Sequence, residues 1–238
     1  MNTDTPGATA PKKALLLAGS PRGKASTSLA FGRQLLRRLE AAGLATEEMT
    51  VSEALKSTED QHRLHKSFDT ADVVVVSFPL YVDQLPAPLI QVLELVAERR
   101  KGLFGATPWP GPGIQKLAAL VQCGFPETLQ TRPAVDIMRQ FARETGFGWA
   151  GALALGMGGA IGGKRLEKTG GVARNVHRAL DITAAALVTG ADIPDEAAQL
   201  LEKPLMPKWL YIIAANWGFR NEIKKQGARK RALDRPYA

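Results

Sequence analysis

Cysteine is almost absent from this chain: Cys123 is the sole one in 238 residues. One thiol forms no internal disulfide and leaves no thiolate cluster for an iron–sulfur centre or a structural zinc site. Histidine is nearly as scarce. His62 and His65 stand at helical spacing, but in a stretch rich in Lys, Arg, Asp and Gln that reads as a solvated face, and His177 is isolated, so no metal site is expected. No apolar run approaches the roughly 20 residues that span a bilayer. Met1 to Pro11 is small and polar, with no basic region leading into an apolar one. The expectation is a cytoplasmic protein without a membrane span, its residues 1–12 disordered.

Acidic residues are outnumbered, giving a net charge of +8. Such a surplus attracts polyanions in general. Much of it is concentrated at Lys224, Lys225, Arg229, Lys230, Arg231 and Arg235, where no interleaved aromatics offer bases a stacking surface. The tail therefore reads as solvated, and no nucleic-acid partner is expected.

What the chain does have is an ordinary globular balance of 45% apolar and 23% charged residues, and one domain is the default at this length. Ala14 to Ala18 is a short apolar run stopping at Gly19, as expected of a strand covered on both faces. Ser26 to Ser28 offer helix caps, and Leu29, Phe31, Leu35, Leu36 and Leu39 recur at helical spacing until Gly43. Thr46 to Val51 is a weaker strand and Thr58 to Thr70 a polar helix. The four valines within Asp72 to Ser77 mark an interior parallel strand.

Pro88 to Arg100 reads as helix, Lys116 to Gln122 as strand, Thr131 to Thr145 as helix and Trp149 to Leu155 as the last strand. Alternating strands and helices imply an α/β fold: an open parallel five-stranded sheet with helices on both faces. Beyond it, His177 to Thr189 and Asp195 to Leu201 look helical. Trp209 to Trp217 is apolar enough to pack on the body or on a partner subunit, with a membrane-surface helix as the alternative. The Pro/Gly-rich Gly102 to Gly113 loop with Trp109 is long enough for a lid or an oligomer contact. Gly156 to Gly163 is a glycine-dense turn suited to closing over a ligand or to tight backbone geometry.

The loop Gly19-Ser-Pro-Arg-Gly-Lys-Ala-Ser-Thr-Ser28 joins a buried strand to a helix. Backbone amides and the helix dipole make such a junction an anion site. Ser20, Ser26, Thr27 and Ser28 supply hydroxyls and Arg22 a charge, while Ser26 or Thr27 capping the helix accounts for part of the same pattern. Two phosphate motifs fail here. The loop lacks the second and third glycines of G-x-G-x-x-G. Gly23-Lys24 has Ala18 and Ala25 where the nucleotide-hydrolase loop needs glycine and a hydroxyl.

Gly19-Ser-Pro-Arg22 with Ser26-Thr-Ser28 resembles the phosphate loop of the NADPH-dependent FMN reductases, a branch of the flavodoxin-like superfamily that includes quinone and azo-compound reductases. Pro79-Leu-Tyr81, followed by Leu85-Pro86 and a helix, resembles that family's loop after the third strand. The resemblance covers about Lys13 to Leu155. It implies a flavodoxin-like domain over residues 13–165 and a helical extension over residues 166–238, packed on the same domain or on a partner subunit. It also implies that Pro79, Leu80, Tyr81 and Val82 line a flavin and that Gln122 to Phe125, with Cys123 and Gly124, form a third edge.

Main-chain amides near Pro79 to Val82 and Cys123 to Gly124 would then stabilise charge on the reduced ring. The implied cofactor is FMN, with NAD(P)H as co-substrate and a quinone-like or other small molecule as acceptor. A homo-oligomer, a dimer or larger, is implied as well. The cofactor carries the redox chemistry, so no catalytic acid or base is assigned. Without a neighbouring His or second cysteine, Cys123 reads as a buried strand-end thiol. In open parallel sheets, ligands bind where strand order reverses, and in the flavodoxin order both candidate loops leave that point.

Overall fold

The computed structural model describes residues 10–23, 26–104, 115–161 and 170–227. Five parallel strands form one sheet: β1 (Lys13–Ala18), β2 (Ala45–Thr50), β3 (Val73–Pro79), β4 (Lys116–Gln122) and β5 (Gly148–Leu155), in the order β2-β1-β3-β4-β5. Every residue of β3 is buried. β-Branched residues favour extended backbone, and an apolar side chain at every position suits a strand covered twice.

Alternation along the strands divides the core into two layers. Ala14, Leu16, Val73, Val75, Ala118 and Leu120 face one side; Leu15, Leu17, Val74, Val76, Leu117 and Ala119 face the other. The first layer is closed by α1 (Thr27–Ala41), the short α6 (Gly158–Ile161), α7 (Arg174–Val188) and α8 (Asp195–Glu202), which contribute Phe31, Leu35, Ile161, Leu180 and Leu200. The second is closed by α2 (Val51–Ala54), α3 (Thr58–Thr70), α4 (Ala87–Phe104) and α5 (Arg132–Glu144), through Val51, Phe68, Leu89 and Met138. Fully burying a side chain such as Phe31 or Phe68 contributes about 1.5–3 kcal/mol, so each layer has its own means of holding helices to the sheet.

Local signals fix the helix ends. Ser57 Oγ accepts from the Asp60 amide and starts α3. Thr50 and Glu53 form a reciprocal capping box at α2. The strand expected at Thr46 to Val51 lies one residue earlier, because Thr50 already serves as that cap. α7 is tied to α1 by Arg38, which pairs with Asp181 at 2.6 Å and contacts His177 Nδ1 at 3.2 Å.

On the opposite side, Arg100 is buried against Phe147 and bonds the Thr145 carbonyl at 2.8 Å and the Gln115 side chain. Gln115 in turn donates to the carbonyls of Phe68 and Ala71. Burial lowers the Arg100 pKa to about 10, against the pull of Asp69. Arg100 still carries its charge at neutral pH, and the cluster joins α3, α4 and the entrances of β4 and β5 at the end of the sheet remote from the loops discussed below.

The last helix, α9 (Lys208–Lys225), differs from the rest, for it contains no buried residue. Trp209, Ile213, Trp217 and Phe219 are more than half exposed. Of the two packings expected for Trp209 to Trp217, on the body or on a partner subunit, the first is made only in part, through Tyr211. The stretch is helical; its most covered side chains are Tyr211, Ala215, Asn221 and Ile223, whereas Trp209, Ile213, Trp217 and Phe219 are left mostly bare. The Trp109 loop from residue 105 onward, the basic positions from Arg229 onward and residues 1–9 of the N-terminal segment lie outside the described residues.

Candidate functional site

Three loops meet at the carboxyl ends of β1, β3, β4 and β5. The first leaves β1 at Gly19, whose amide donates to the Ser77 carbonyl at 2.8 Å. A Cβ on Gly19 would lie 2.7 Å from Leu89 Cδ2 and 2.9 Å from Phe78 Cβ. Only glycine lets the loop run this close to β3 and α4.

Beyond it the candidate side chains diverge. Ser20 is buried and its Oγ accepts from the Arg22 amide at 3.3 Å. Ser26 caps α1, its Oγ accepting from the Leu29 amide at 3.2 Å. Ser28 is wholly buried, its Oγ without a hydrogen-bond partner among the described residues. Arg22 and Thr27 are the two that line the cleft. Helix geometry leaves the first amides of α1 without acceptors inside the helix, and they point outward at its positive end. Lys24 and Ala25 lie outside the described residues.

The second loop follows β3. Tyr81 and Gln84 exchange both backbone hydrogen bonds, at 2.9 and 3.0 Å, around the two-residue turn Val82-Asp83. Both turn residues have positive φ, 50° and 58°. A turn of this hand favours Asn or Gly, and a β-branched valine there is strained. Pro79, Leu80 and Tyr81 line the cleft, whereas Val82 is 95% exposed at the turn's tip.

The third edge comes from Gln122 at the end of β4 and Cys123 and Gly124 after it, with Gly158 and Gly159 after β5. These loops are stitched together: the Met157 amide donates to the Phe125 carbonyl at 2.7 Å and the Gly158 amide to the Cys123 carbonyl at 2.8 Å. A Cβ on Gly158 would fall 1.8 Å from Gln122 Oε1, so glycine is needed there to make room for that side chain. The positions missed in the candidate set, Gly158 and Gly159, belong to the glycine-dense turn; residues 162 and 163 of that turn are not described.

Cys123 is 2% exposed, with its Sγ 3.4 Å from the Glu127 carbonyl. Burial pushes its thiol above the ordinary value, only partly offset by a backbone hydrogen bond from Phe125, which suits a packed thiol rather than a nucleophile. The amide expectation is corrected in part. The amides of Leu80, Tyr81 and Cys123 are engaged by the carbonyls of Gln122, Gln84 and Leu155. Strand continuation and the tight turn claim them first. Those of Val82 and Gly124 donate to no backbone acceptor among the described residues.

One residue at the rim had no signal in the loop motifs. Tyr211, at the start of α9, donates its hydroxyl to the Gly124 carbonyl at 2.8 Å. Burial raises its pKa, with the neighbouring Cys123 adding to the shift. Lys208 reinforces this contact through Glu127 at 2.5 Å.

The assembled cleft has a volume of about 520 Å³, within the roughly 300–1,000 Å³ of small-molecule sites. One end carries Arg22, Thr27 and the α1 N-terminus; the other is formed by Pro79, Leu80, Tyr81, Cys123 and Gly124. That polarity, anion-binding at one end and flat and mostly apolar at the other, fits a phosphorylated flavin. Among the described residues its lining has no carboxylate or imidazole. A larger groove of about 750 Å³ lies between α5 and α8 along β5. Its charges are largely spent on one another, in Arg139–Asp136 and Lys208–Glu127, and it gathers no reactive set.

A parallel sheet in the order 2-1-3-4-5, with a cleft where β1 and β3 diverge, defines a doubly wound α/β protein with a ligand site at its switch point. The chain belongs to the flavodoxin-like family, whose model, described as the flavodoxin-like fold, matches residues 12–133. No curated protein matches the chain.

Among solved structures it is similar to an FMN-dependent NADH-azoreductase from Bacillus anthracis str. Ames Ancestor in complex with FMN, at 11% identity over 74% of this chain and 99% of that one, TM-score 0.52. It is also similar to the NAD(P)H:quinone oxidoreductase of Methanothermobacter marburgensis, at 18% identity over 72% and 96%, TM-score 0.51. A flavodoxin from Streptococcus pneumoniae TIGR4 matches at 14% over 75% and 99%, TM-score 0.50. At such identities the likeness is one of fold.

Proposed function

We propose that this chain is an FMN-dependent NAD(P)H oxidoreductase that passes reducing equivalents to a quinone-like or other small acceptor. The observation that carries this reading is the polarity of the switch-point cleft, with Arg22, Thr27 and the α1 N-terminus at one end and Pro79, Leu80, Tyr81, Cys123 and Gly124 at the other. Fold likeness to an azoreductase described as FMN-dependent and to a quinone oxidoreductase supports the same class.

In this reading Arg22, Thr27 and the first amides of α1 hold the phosphate. Leu80 and Tyr81 border the ring, and the amides of Val82 and Gly124 face its polar edge. When bound, FMN supplies the hydride and electron transfer, so the protein's work is to bind, orient and shield. The buried, protonated Cys123 adds no competing nucleophile.

The other reading is a non-catalytic flavin carrier or flavin-dependent regulator. Carriers that dock on basic partners need acidic surfaces, and the net charge of +8 favours the enzyme. The deciding experiment is an absorbance titration of the purified protein with FMN, followed anaerobically by NADPH and NADH. A bound flavin that bleaches supports the enzyme. One that binds and stays oxidised supports the carrier or regulator, and a protein that ignores FMN overturns both.

A further inference from the structure

α9 is an 18-residue helix held to the domain at its start and bare over most of its length. At 3.6 residues per turn, Trp209, Ile213 and Trp217 form one i, i+4, i+8 stripe on the side opposite Tyr211, which is anchored on Gly124. They are 65%, 58% and 69% exposed, and Leu210, Ile212 and Phe219 widen the exposed apolar surface around them. A cluster of this kind on a helix that buries nothing marks a contact surface.

The charge on the helix selects the partner. Arg220 and Lys224 continue the tryptophan stripe by one and two further turns, while Lys225 lies about 100° further round, toward the Tyr211 side. The helix has four cations, counting Lys208, against the single anion Glu222. In sequence, Arg229, Lys230, Arg231 and Arg235 follow. Two copies of such a face set like charge against like charge, which costs affinity. An anionic lipid surface accepts both halves of the stripe: tryptophans and isoleucines settle at the headgroup boundary while Arg and Lys reach the lipid phosphates. With an apolar run of only Trp209 to Phe219, the helix is too short to cross a bilayer, and no helix among the described residues is long and apolar enough to do so.

We infer that α9 docks this protein on an anionic membrane surface through the Trp209, Ile213, Trp217 stripe and the cations that extend it. The stripe begins two residues from Tyr211, whose hydroxyl bonds a carbonyl of the cleft lining. With the stripe and Tyr211 on opposite sides of α9, docking holds the cleft rim one helix diameter, roughly 10 Å, from the membrane surface. Resting on the flavin reading above, this makes the acceptor an apolar, quinone-like molecule dissolved in the lipid.

The test is flotation of the full chain, without FMN, on vesicles of phosphatidylcholine alone and of phosphatidylcholine mixed with phosphatidylglycerol. Binding is expected to the mixed vesicles, weakened by salt, and lost in Ile213→Glu and Trp217→Glu, whose exposed positions leave the fold intact by circular dichroism. Each basic residue near a membrane strengthens partition by about fivefold, so the double change Arg220→Ala, Lys224→Ala should weaken it by roughly 25-fold.

Absence of binding to the mixed vesicles overturns the proposal. A concentration-dependent dimer that the same variants dissolve would assign the face to a second copy instead. Binding that ignores lipid charge also overturns it. A separate arm compares NADPH oxidation with a long-chain benzoquinone in mixed vesicles and with unsubstituted benzoquinone in water. Trp217→Glu is expected to slow only the former, and equal rates overturn the acceptor assignment. Because flotation needs no flavin, a failure to bind FMN leaves the docking result standing.

Discussion

The hydroxyl of Ser77, at the end of β3, donates to the main-chain carbonyl of Ser28, in the first turn of α1, at 2.6 Å. Both residues are wholly buried. The bond fixes the N-terminus of α1 relative to the strand that carries the second loop, so the two halves of the cleft share one internal tie. Ser77→Ala is expected to lower stability by about 1 kcal/mol, the usual net worth of one such bond. It should also weaken FMN binding several-fold, read by denaturant unfolding and by quenching of flavin fluorescence.

The phosphate end can be separated from the ring end. Arg22→Ala and Thr27→Val are expected to weaken FMN by about tenfold or more each, the scale of a hydrogen bond to a charged group. Riboflavin, which lacks the phosphate, should bind the variants and the parent alike. Equal losses for both ligands would place the phosphate elsewhere.

Val82 adopts a φ of 50° while its side chain is 95% exposed. Strain of this kind costs about 1–3 kcal/mol and persists where the surroundings impose it. Val82→Asn removes the β-branch without changing the turn and is expected to raise stability by about 1 kcal/mol in thermal or denaturant unfolding. If the backbone of this turn contacts the flavin, affinity for FMN stays near the parent value, since the side chain points away.

Glu47 titrates with a definite sign. Burial raises its pKa, but the Ser67 hydroxyl and the charges of Lys13 and Arg63 outweigh that and hold it below 4.5. A carboxylate depressed in the folded state adds stability that is present above its unfolded pKa and lost as pH falls through the folded one. Stability measured downward from pH 5 should therefore fall more steeply in the parent than in Glu47→Gln, and the two curves should converge in acid.

Cys123 provides a single-thiol readout. Its burial and raised pKa predict negligible reaction of the native protein with an aromatic disulfide reagent at neutral pH and one thiol released on unfolding. Protection should persist when FMN is absent, because it comes from packing at the end of β4 rather than from the ligand.

The strands and most helices were legible in the amino-acid order because their signals are local. Four valines in a row favour an extended strand wherever they are buried, and the spacing of Leu29, Leu35 and Leu39 makes one face of a helix. The position of the cleft was legible too, since loops that leave adjacent strands at a reversal of order must meet there.

Tertiary structure decided which groups of those loops face the cleft. Four hydroxyls between Gly19 and Ser28 are equivalent as letters, but packing buries Ser20 and Ser28, the helix takes Ser26 as its cap, and of the four only Thr27 reaches the cleft. The contact of Tyr211 with Gly124 spans 87 positions, and no periodicity reports it. The apolar stretch from Trp209 to Phe219 has the composition of a buried segment and yet stands in the open. Hydrophobicity states that a surface avoids water, whereas only the arrangement of the remaining chain decides whether the protein itself provides the cover.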